Sequence, residues 1–244
     1  MTNLISLSYN DNINLILRGY FMTIPITQSM CKAATGAVIS DNNILTVNSA
    51  DCAVENSYNG TCIETARAYE FVSGYNDMYL ATGTSCNNRV YILNSSFKEI
   101  ASICFPACNG PILSAYAMPC NRILLTYRNK ITVGNYNGNF TQTVDEICDS
   151  DSEFISAVPT DNGILFAYTN GSYETLQYNR CCGYTDSCIL PSNIRIKNFV
   201  TDSDTVYGLF SKGYPYRYLL PVVQGCSLLC PNENDFSISD CNCV

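Results

Sequence analysis

The stretch FISAVPTDNGILFAYT, residues 154–169, decides the fold of this chain because two short apolar segments flank a polar turn. Asp, Asn and Gly in the turn tolerate left-handed backbone conformations. The flanking segments are rich in Ile, Val, Phe and Tyr, which favour extended strands. The stretch therefore predicts two antiparallel strands joined by a tight turn.

The same strand–turn–strand pattern recurs along the chain. It occurs at 4–20, 35–49, 71–84, 112–128, 154–169 and 194–210. Each unit can be marked by the first apolar residue after its turn, and the marks are Ile13, Ile44, Met78, Ile123, Ile164 and Val206. Successive marks are 31, 34, 45, 41 and 42 residues apart. Further strand-like segments follow within the units, and no segment shows a sustained helical period with caps.

Four short strands per unit, repeated about every 40 residues, are typical of a β-propeller blade. In period and pattern the chain resembles the β-propeller superfold. The resemblance implies an all-β β-propeller of six blades, each of four antiparallel strands. A single propeller domain would then cover residues 1–225, followed by a cysteine-rich C-terminal tail at 226–244.

Other arrangements stay open at this stage. The first two units are short, so five blades after an irregular start are an alternative to six. Another all-β repeat or a pair of β-sandwiches would also fit the pattern. Known blade signatures, such as the Trp-Asp ending of WD40 blades, are absent from the sequence, and no family follows from the pattern.

The composition excludes several classes of function. The chain has 244 residues, 14% of them charged, a net charge of −8 and no histidine. Without histidine, Ser-His-Asp and Cys-His catalysis and histidine-ligated metals are excluded. The acidic balance argues against a nucleic-acid partner, because neutralising phosphates requires clustered Lys and Arg.

The sequence also bears on location. No apolar run reaches the length of a membrane span, and residues 1–20 lack the features of a signal peptide. We therefore expect synthesis in the cytoplasm, without a signal peptide and without a membrane partner.

Cysteine is the strongest compositional signal, with 15 residues in the chain. Six of them follow the repeat at spacings of 31, 42, 44, 40 and 38 residues, and they are Cys31, Cys62, Cys104, Cys148, Cys188 and Cys226. Each falls in or beside the fourth strand of a unit, which is the outermost strand of a blade. We therefore expect a ring of thiols near the rim. These thiols either fill small buried apolar positions or form disulfides, within blades or between molecules.

Five further cysteines in turn-rich or terminal sequence are candidates for cross-linking. They are Cys181, Cys182, Cys230, Cys241 and Cys243. An odd number of cysteines leaves at least one thiol without a partner in the same chain. The paired cysteines have Cys-x3-Cys or Cys-x-Cys spacing instead of the Cys-x2-Cys knuckles of zinc ribbons. We therefore expect no metal site and no cofactor.

Two other groups of residues are candidates for function. Turn carboxylates such as Asp77 and Asp161 could serve glycosidase chemistry, but turns favour Asp for backbone reasons alone. We therefore expect no enzyme activity. Tyr214, Tyr216 and Tyr218 share one face of a predicted strand. They form either an exposed recognition surface or packing between blades.

Two functions fit these observations. The first is a non-enzymatic structural protein that self-assembles as a homo-oligomer or lattice, with itself or with other cysteine-rich surface proteins, through disulfides. In composition it is similar to the cysteine-rich proteins of bacterial spore outer layers (exosporium and coat), which are made in the mother cell and become disulfide-linked on the spore. That similarity implies deposition on a spore or particle surface. The second is a ligand-binding propeller that recognises glycan or protein at the disc face.

Overall fold

The structure is a computed structural model that describes residues 24–26, 34–40, 43–56, 61–75, 77–83, 88–202, 205–213 and 217–236. These residues form 21 β-strands and two short 3-10 turns, at Ala107–Asn109 and Glu233–Phe236. No α-helix lies among them. The prediction of an all-β fold is confirmed.

Four of the five sheets are blades of four antiparallel strands in chain order. Blade 1 consists of β2 (Gly36–Ser40), β3 (Asn43–Asn48), β4 (Ala53–Asn56) and β5 (Cys62–Glu64). Blade 2 consists of β6 (Tyr69–Tyr75), β7 (Met78–Gly83), β8 (Arg89–Leu93) and β9 (Glu99–Cys104). Blade 3 consists of β10 (Ser114–Met118), β11 (Arg122–Thr126), β12 (Lys130–Asn135) and β13 (Phe140–Glu146). Blade 4 consists of β14 (Phe154–Thr160), β15 (Gly163–Asn170), β16 (Tyr173–Arg180) and β17 (Thr185–Ile189).

The fifth blade combines strands from both ends of the described chain. Its inner strands are β18 (Arg195–Asp202), β19 (Thr205–Ser211) and β20 (Arg217–Gln224). On the outer edge of β20, β1 (Ile24–Ile26) pairs with its start and β21 (Ser227–Leu228) pairs with its end. This arrangement covers an edge that would otherwise present unpaired backbone groups.

The innermost strands β2, β6, β10, β14 and β18 close the blades into a ring, because each contacts the innermost strands of both neighbouring blades. The structure is therefore a five-bladed β-propeller, and the predicted number of six blades is wrong. The unit predicted at 4–20 lies outside the described residues. The segment before blade 1 contributes β1 to the last blade. The other five marks all lie on the second strands of blades, and they are Ile44, Met78, Ile123, Ile164 and Val206.

Buried residues of the innermost strands meet near the axis of the propeller. Each innermost strand places one buried residue four positions before its last residue, and these are Gly36, Phe71, Ser114, Ser156 and Asn198. The ring of Phe71 packs edge-on against that of Tyr116, with centroids 5.0 Å apart. The Tyr116 hydroxyl in blade 3 donates a hydrogen bond to the Phe199 carbonyl in blade 5. Because blades 3 and 5 are not neighbours, Tyr116 spans the axis.

Buried polar contacts join neighbouring blades. The Ser73 hydroxyl in blade 2 donates to the Ala115 carbonyl in blade 3 over 2.7 Å. The Ile196 N–H at the start of blade 5 donates to Oε2 of Glu174 in blade 4 over 2.6 Å. Burial raises the pKa of the Glu174 carboxyl, and the Ile196 N–H opposes that rise. The blades are thus held by specific hydrogen bonds as well as by apolar packing.

We expect Arg217→Met to lower the free energy of unfolding by about 1–3 kcal/mol, because a buried acceptor would lose its donor. Arg217, which is 9% exposed, donates from Nε to the Ala34 carbonyl over 3.2 Å. This hydrogen bond joins the last blade to the segment that leads into the first. Urea unfolding followed by circular dichroism measures the effect.

The matched control for the unfolding measurement on Arg217→Met is Arg128→Met. The Arg128 side chain is 62% exposed, so its replacement should change the free energy of unfolding by less than about 0.5 kcal/mol. Equal losses for the two variants would show that Arg217 has no special role in closing the ring.

Candidate functional site

Cysteines lie at the outer edge of every blade. Cys62 on β5, Cys104 on β9 and Cys188 on β17 belong to outermost strands. Cys148 follows the end of β13, and Cys226 lies in the turn between β20 and β21. The structure therefore places these five cysteines at or beside the rim, where the repeat predicted them. Cys31 lies outside the described residues.

Four of these five thiols are exposed. Cys62, Cys104, Cys148 and Cys226 are exposed to solvent, whereas Cys188 is half-buried. The hypothesis that the repeated cysteines fill small buried positions does not hold for the four exposed ones. Exposed thiols contribute little to the apolar core and are open to oxidation or exchange. We use the name thiol rim for Cys62, Cys104, Cys148 and Cys226 together with Cys181 and Cys182.

Blade 4 carries two adjacent members of the thiol rim. Cys181 and Cys182 lie in the turn between β16 and β17, and both are exposed. Tyr184 in the same turn is 69% exposed, and Ile189 at the end of β17 is 63% exposed. This turn of blade 4 thus presents two thiols beside an exposed aromatic side chain, and the opposite end of the same strand exposes an isoleucine.

The acidic side chains of two outermost strands, β9 and β17, form ion pairs. On β17, Asp186 forms an ion pair with Arg180. On β9, Glu99 forms an ion pair with Arg67, with Oε2 and Nε 2.9 Å apart. Charged side chains on an edge strand normally discourage pairing with another molecule. Pairing these acids removes part of that protection from β9 and β17.

The same two edges expose isoleucines. Ile100 on β9 is 56% exposed and Ile189 on β17 is 63% exposed. Sequence analysis missed both, although a signal existed. On β17, Ile189 alternates with the half-buried Cys188, so strand alternation places it on the outer face with the exposed Thr185 and Ser187.

The acidic surroundings of Cys62 set it apart from the other members of the thiol rim. Burial and the negative charges of Glu55, Glu64 and Asp51 raise the pKa of the Cys62 thiol. The thiolate is the form that attacks disulfides and other electrophiles. Cys62 is therefore expected to react more slowly than an unperturbed surface cysteine.

The turn aspartates have backbone roles. Asp77 and Asp161 lie in the turns between the first and second strands of blades 2 and 4, and both are exposed. Asp77 has a φ of 60°, a left-handed conformation that Asp tolerates better than most residues. This geometry supports the interpretation of Asp77 as a turn residue.

The tyrosines predicted to alternate on one strand are only partly described. Tyr218 is 1% exposed and its ring packs edge-on against Phe236, with centroids 5.4 Å apart. It belongs to the interior and not to a recognition surface. Tyr214 and Tyr216 lie outside the described residues, as do Cys241 and Cys243.

The part of the chain that the structure describes has no metal-binding cluster and no membrane-spanning helix. There, no three Cys, Asp or Glu side chains are grouped so that they could hold a metal ion. None of the helical segments in the same residues is long and apolar enough to cross a membrane.

A shallow pocket of about 380 Å³ lies on blade 3. Asn121 lines it from the turn after β10, and Asn135, Tyr136 and Asn137 line it from the end of β12 and the turn that follows. The Tyr136 hydroxyl is buried, and Oδ1 of Asn135 accepts hydrogen bonds from the N–H groups of Asn137 and Asn139. The amides of Asn121 and Asn137 remain as groups that can donate to and accept from a ligand with hydroxyl groups. Asparagine is so frequent in the turns of this sequence that these positions carried no distinguishing signal.

No protein-family model matches the sequence, and no curated protein matches it. Among solved structures, the WD40 β-propeller domain of Doa1 is similar over 75% of this chain and 62% of its own, with 10% identity and a TM-score of 0.50. The computationally designed Ika4 protein matches over 65% of this chain and 92% of its own, with 11% identity and a TM-score of 0.40. The extracellular domain of BT4673 from B. thetaiotaomicron matches over 72% of this chain and 25% of its own, with 15% identity and a TM-score of 0.47. The likeness to the Doa1 domain is one of fold alone, and it agrees with the closed ring of four-stranded sheets: this chain is a β-propeller.

Proposed function

We propose that this protein is a non-enzymatic structural protein that self-assembles through the rim of its propeller and is then cross-linked by disulfides. The observation that carries the proposal is the position of the cysteines. Every blade has one at or beside its outermost strand, and four of these five are exposed. Disulfides persist in oxidising surroundings, so the proposal includes deposition on an exposed surface, such as that of a spore or particle.

The edges of β9 and β17 are the proposed contact surfaces. Both carry an exposed isoleucine, Ile100 or Ile189, and both have their acidic residue in an ion pair. Because the edges belong to different blades, a contact between β9 of one molecule and β17 of the next is heterologous. Contacts of this kind grow into a chain or sheet unless the rotation between molecules closes a ring.

Thiols lie beside both contact surfaces. Cys104 ends β9, and Cys181 and Cys182 precede β17. Contact between the two edges would bring thiols of different molecules together. Two thiols then lose two electrons and two protons to a small-molecule disulfide, which is reduced to two thiols, and one new S–S bond joins the molecules. The assembly would become covalent after it has formed.

The absence of enzyme activity is also part of the proposal. The chain has no histidine, and the Tyr116 side chain of blade 3 reaches across the axis to the Phe199 carbonyl of blade 5. The turn carboxylates Asp77 and Asp161 fit roles in the backbone turns. These observations favour a structural function over a catalytic one.

We expect covalent oligomers after oxidation. Protein treated with oxidised glutathione should run as a ladder on a denaturing gel without reductant and as a single band of 26.9 kDa with reductant. The physical reason is that exposed thiols on several blades can each reach a different neighbour. A denaturant-separable monomer after oxidation, with its exposed thiols free or capped by glutathione, would refute cross-linking.

A ligand-binding propeller is the second candidate function, because the pocket on blade 3 combines three asparagines with Tyr136. Its ligand would be a glycan or a protein surface rich in hydroxyl and amide groups. Binding of an oligosaccharide on a glycan array, reduced by Asn137→Ala, would favour this candidate.

A further inference from the structure

The segment that follows β20 lies against the apolar core of the propeller. The Leu229 N–H donates to the Val222 carbonyl over 2.8 Å. Leu228 packs against the largest core cluster, which draws on several blades. Phe236 is buried, and its ring packs edge-on against Phe210 with centroids 5.4 Å apart. Residues 227–236 are therefore part of the packed structure.

Cys188 is half-buried on its strand, unlike the exposed cysteines of the thiol rim. On β17, Thr185, Ser187 and Ile189 are exposed, whereas Asp186 and Cys188 are half-buried. Successive side chains of a strand point to opposite faces, so Cys188 lies on the inward face. There it packs against the same core cluster as Leu228.

Cys230 lies two residues beyond Leu228, and its exposed side chain lies within hydrogen-bonding reach of the Cys188 thiol. Burial raises the pKa of Cys188, and the hydrogen bond and charge interaction with Cys230 raise it further. Both residues are free thiols in the structure. The two sulfurs thus already interact, although 41 residues separate them along the chain.

We infer that Cys188 and Cys230 form an intramolecular disulfide, which fastens the C-terminal segment to the outermost strand of blade 4. This goes beyond the proposed assembly, because a monomer can form the bond and cross-linking between molecules does not depend on it. It also divides the cysteines into two groups, with one internal pair distinct from the thiol rim.

Cys230 reacts first because its thiol is exposed, whereas that of Cys188 is half-buried. The Cys230 thiolate attacks a small-molecule disulfide such as oxidised glutathione, forms a mixed disulfide and releases one small thiolate. The Cys188 thiol then gives up its proton, and its sulfur attacks the Cys230 sulfur and displaces the second small thiolate. One S–S bond is formed in the protein, and one small disulfide is reduced to two thiols.

Peptide mapping tests the pairing. Protein carrying Cys226→Ser is oxidised with oxidised glutathione at low concentration, its free thiols are alkylated, and it is digested with a protease that cleaves before aspartate. Residues 186–201 then contain Cys188 as their single cysteine, and residues 204–234 of this variant contain Cys230 as theirs. We expect these two peptides to be linked to each other in the monomer. Alkylated Cys188, or Cys188 linked to any other cysteine, would overturn the inference.

Thermal unfolding provides a second readout. A disulfide that closes a loop of about 40 residues should raise the melting temperature of a chain of this size by about 10 °C, because it restricts the unfolded state. Cys226→Ser should keep this rise on oxidation, and Cys230→Ser should lose it. The same rise in both variants would overturn the inference. A denaturing gel without reductant reports separately on cross-linking between molecules, so failure of the pairing and failure of the assembly are distinguishable.

Discussion

Tyr116→Ala is expected to lower the free energy of unfolding by about 3–5 kcal/mol, because it removes a large buried ring and leaves a cavity on the axis. Tyr116 is 4% exposed. Its ring packs against Phe71, and its hydroxyl reaches the Phe199 carbonyl across the axis. Removing the side chain therefore weakens contacts of blades 2, 3 and 5 together, and neighbouring innermost strands cannot easily move inwards to fill the space.

Urea unfolding of two further variants separates the contributions at this position. Tyr116→Phe keeps the ring and loses the hydroxyl, so we expect a loss of about 1–2 kcal/mol. Tyr184→Ala removes a tyrosine that is 69% exposed and should change the stability by less than about 0.5 kcal/mol. If Tyr116→Ala lowered the free energy of unfolding no more than Tyr184→Ala, the Tyr116 side chain would not pack between the blades around the axis as the structure shows.

The blade pattern could be predicted from the sequence because it is local. Alternating apolar residues on either side of short polar turns marked the second strand of every blade, from Ile44 in blade 1 to Val206 in blade 5. The number of blades could not be predicted in the same way. The closing strand β1 has three residues, includes Pro25, and pairs Ile24 with Leu219 at the other end of the described chain. A pairing over that separation leaves no periodic signal near either strand.

The candidate site was predictable to a similar extent. The period of the cysteines placed them in or beside outermost strands, and the structure has three of them on those strands and two beside them. The exposure of the candidate tyrosines and cysteines depended on tertiary packing and could not be predicted from the sequence. Tyr218 is buried among core side chains that include Phe236, and Cys188 is half-buried against the same core cluster as Leu228. Both partners come from the segment after β20, which the sequence indicated only as a cysteine-rich tail.

Replacing both Cys181 and Cys182 by Ser is expected to remove most of the covalent dimer that forms early in oxidation. These thiols lie beside Tyr184, which is 69% exposed, at the start of β17, and Ile189 at the far end of the strand is 63% exposed. Association through this edge would therefore hold the thiols against a neighbouring molecule. A thiol held at a contact reacts far faster than the same thiol meeting a partner by diffusion. The melting temperature of the reduced protein should change little, because exposed side chains contribute little to folding.

The matched control is Cys148→Ser together with Cys226→Ser, since both are exposed rim thiols that lie on neither β9 nor β17. Cys62 would be a poor control. Burial and the charges of Glu55, Glu64 and Asp51 raise its pKa, so a smaller fraction is thiolate near neutral pH and it should contribute little to early cross-linking. Timed quenching with an alkylating agent, followed by a denaturing gel without reductant, measures the dimer. Equal losses from this control and from the double variant of Cys181 and Cys182 would mean that the thiols react by random collision. A loss confined to the double variant would mean that the edge of β17 brings molecules together before the disulfide forms.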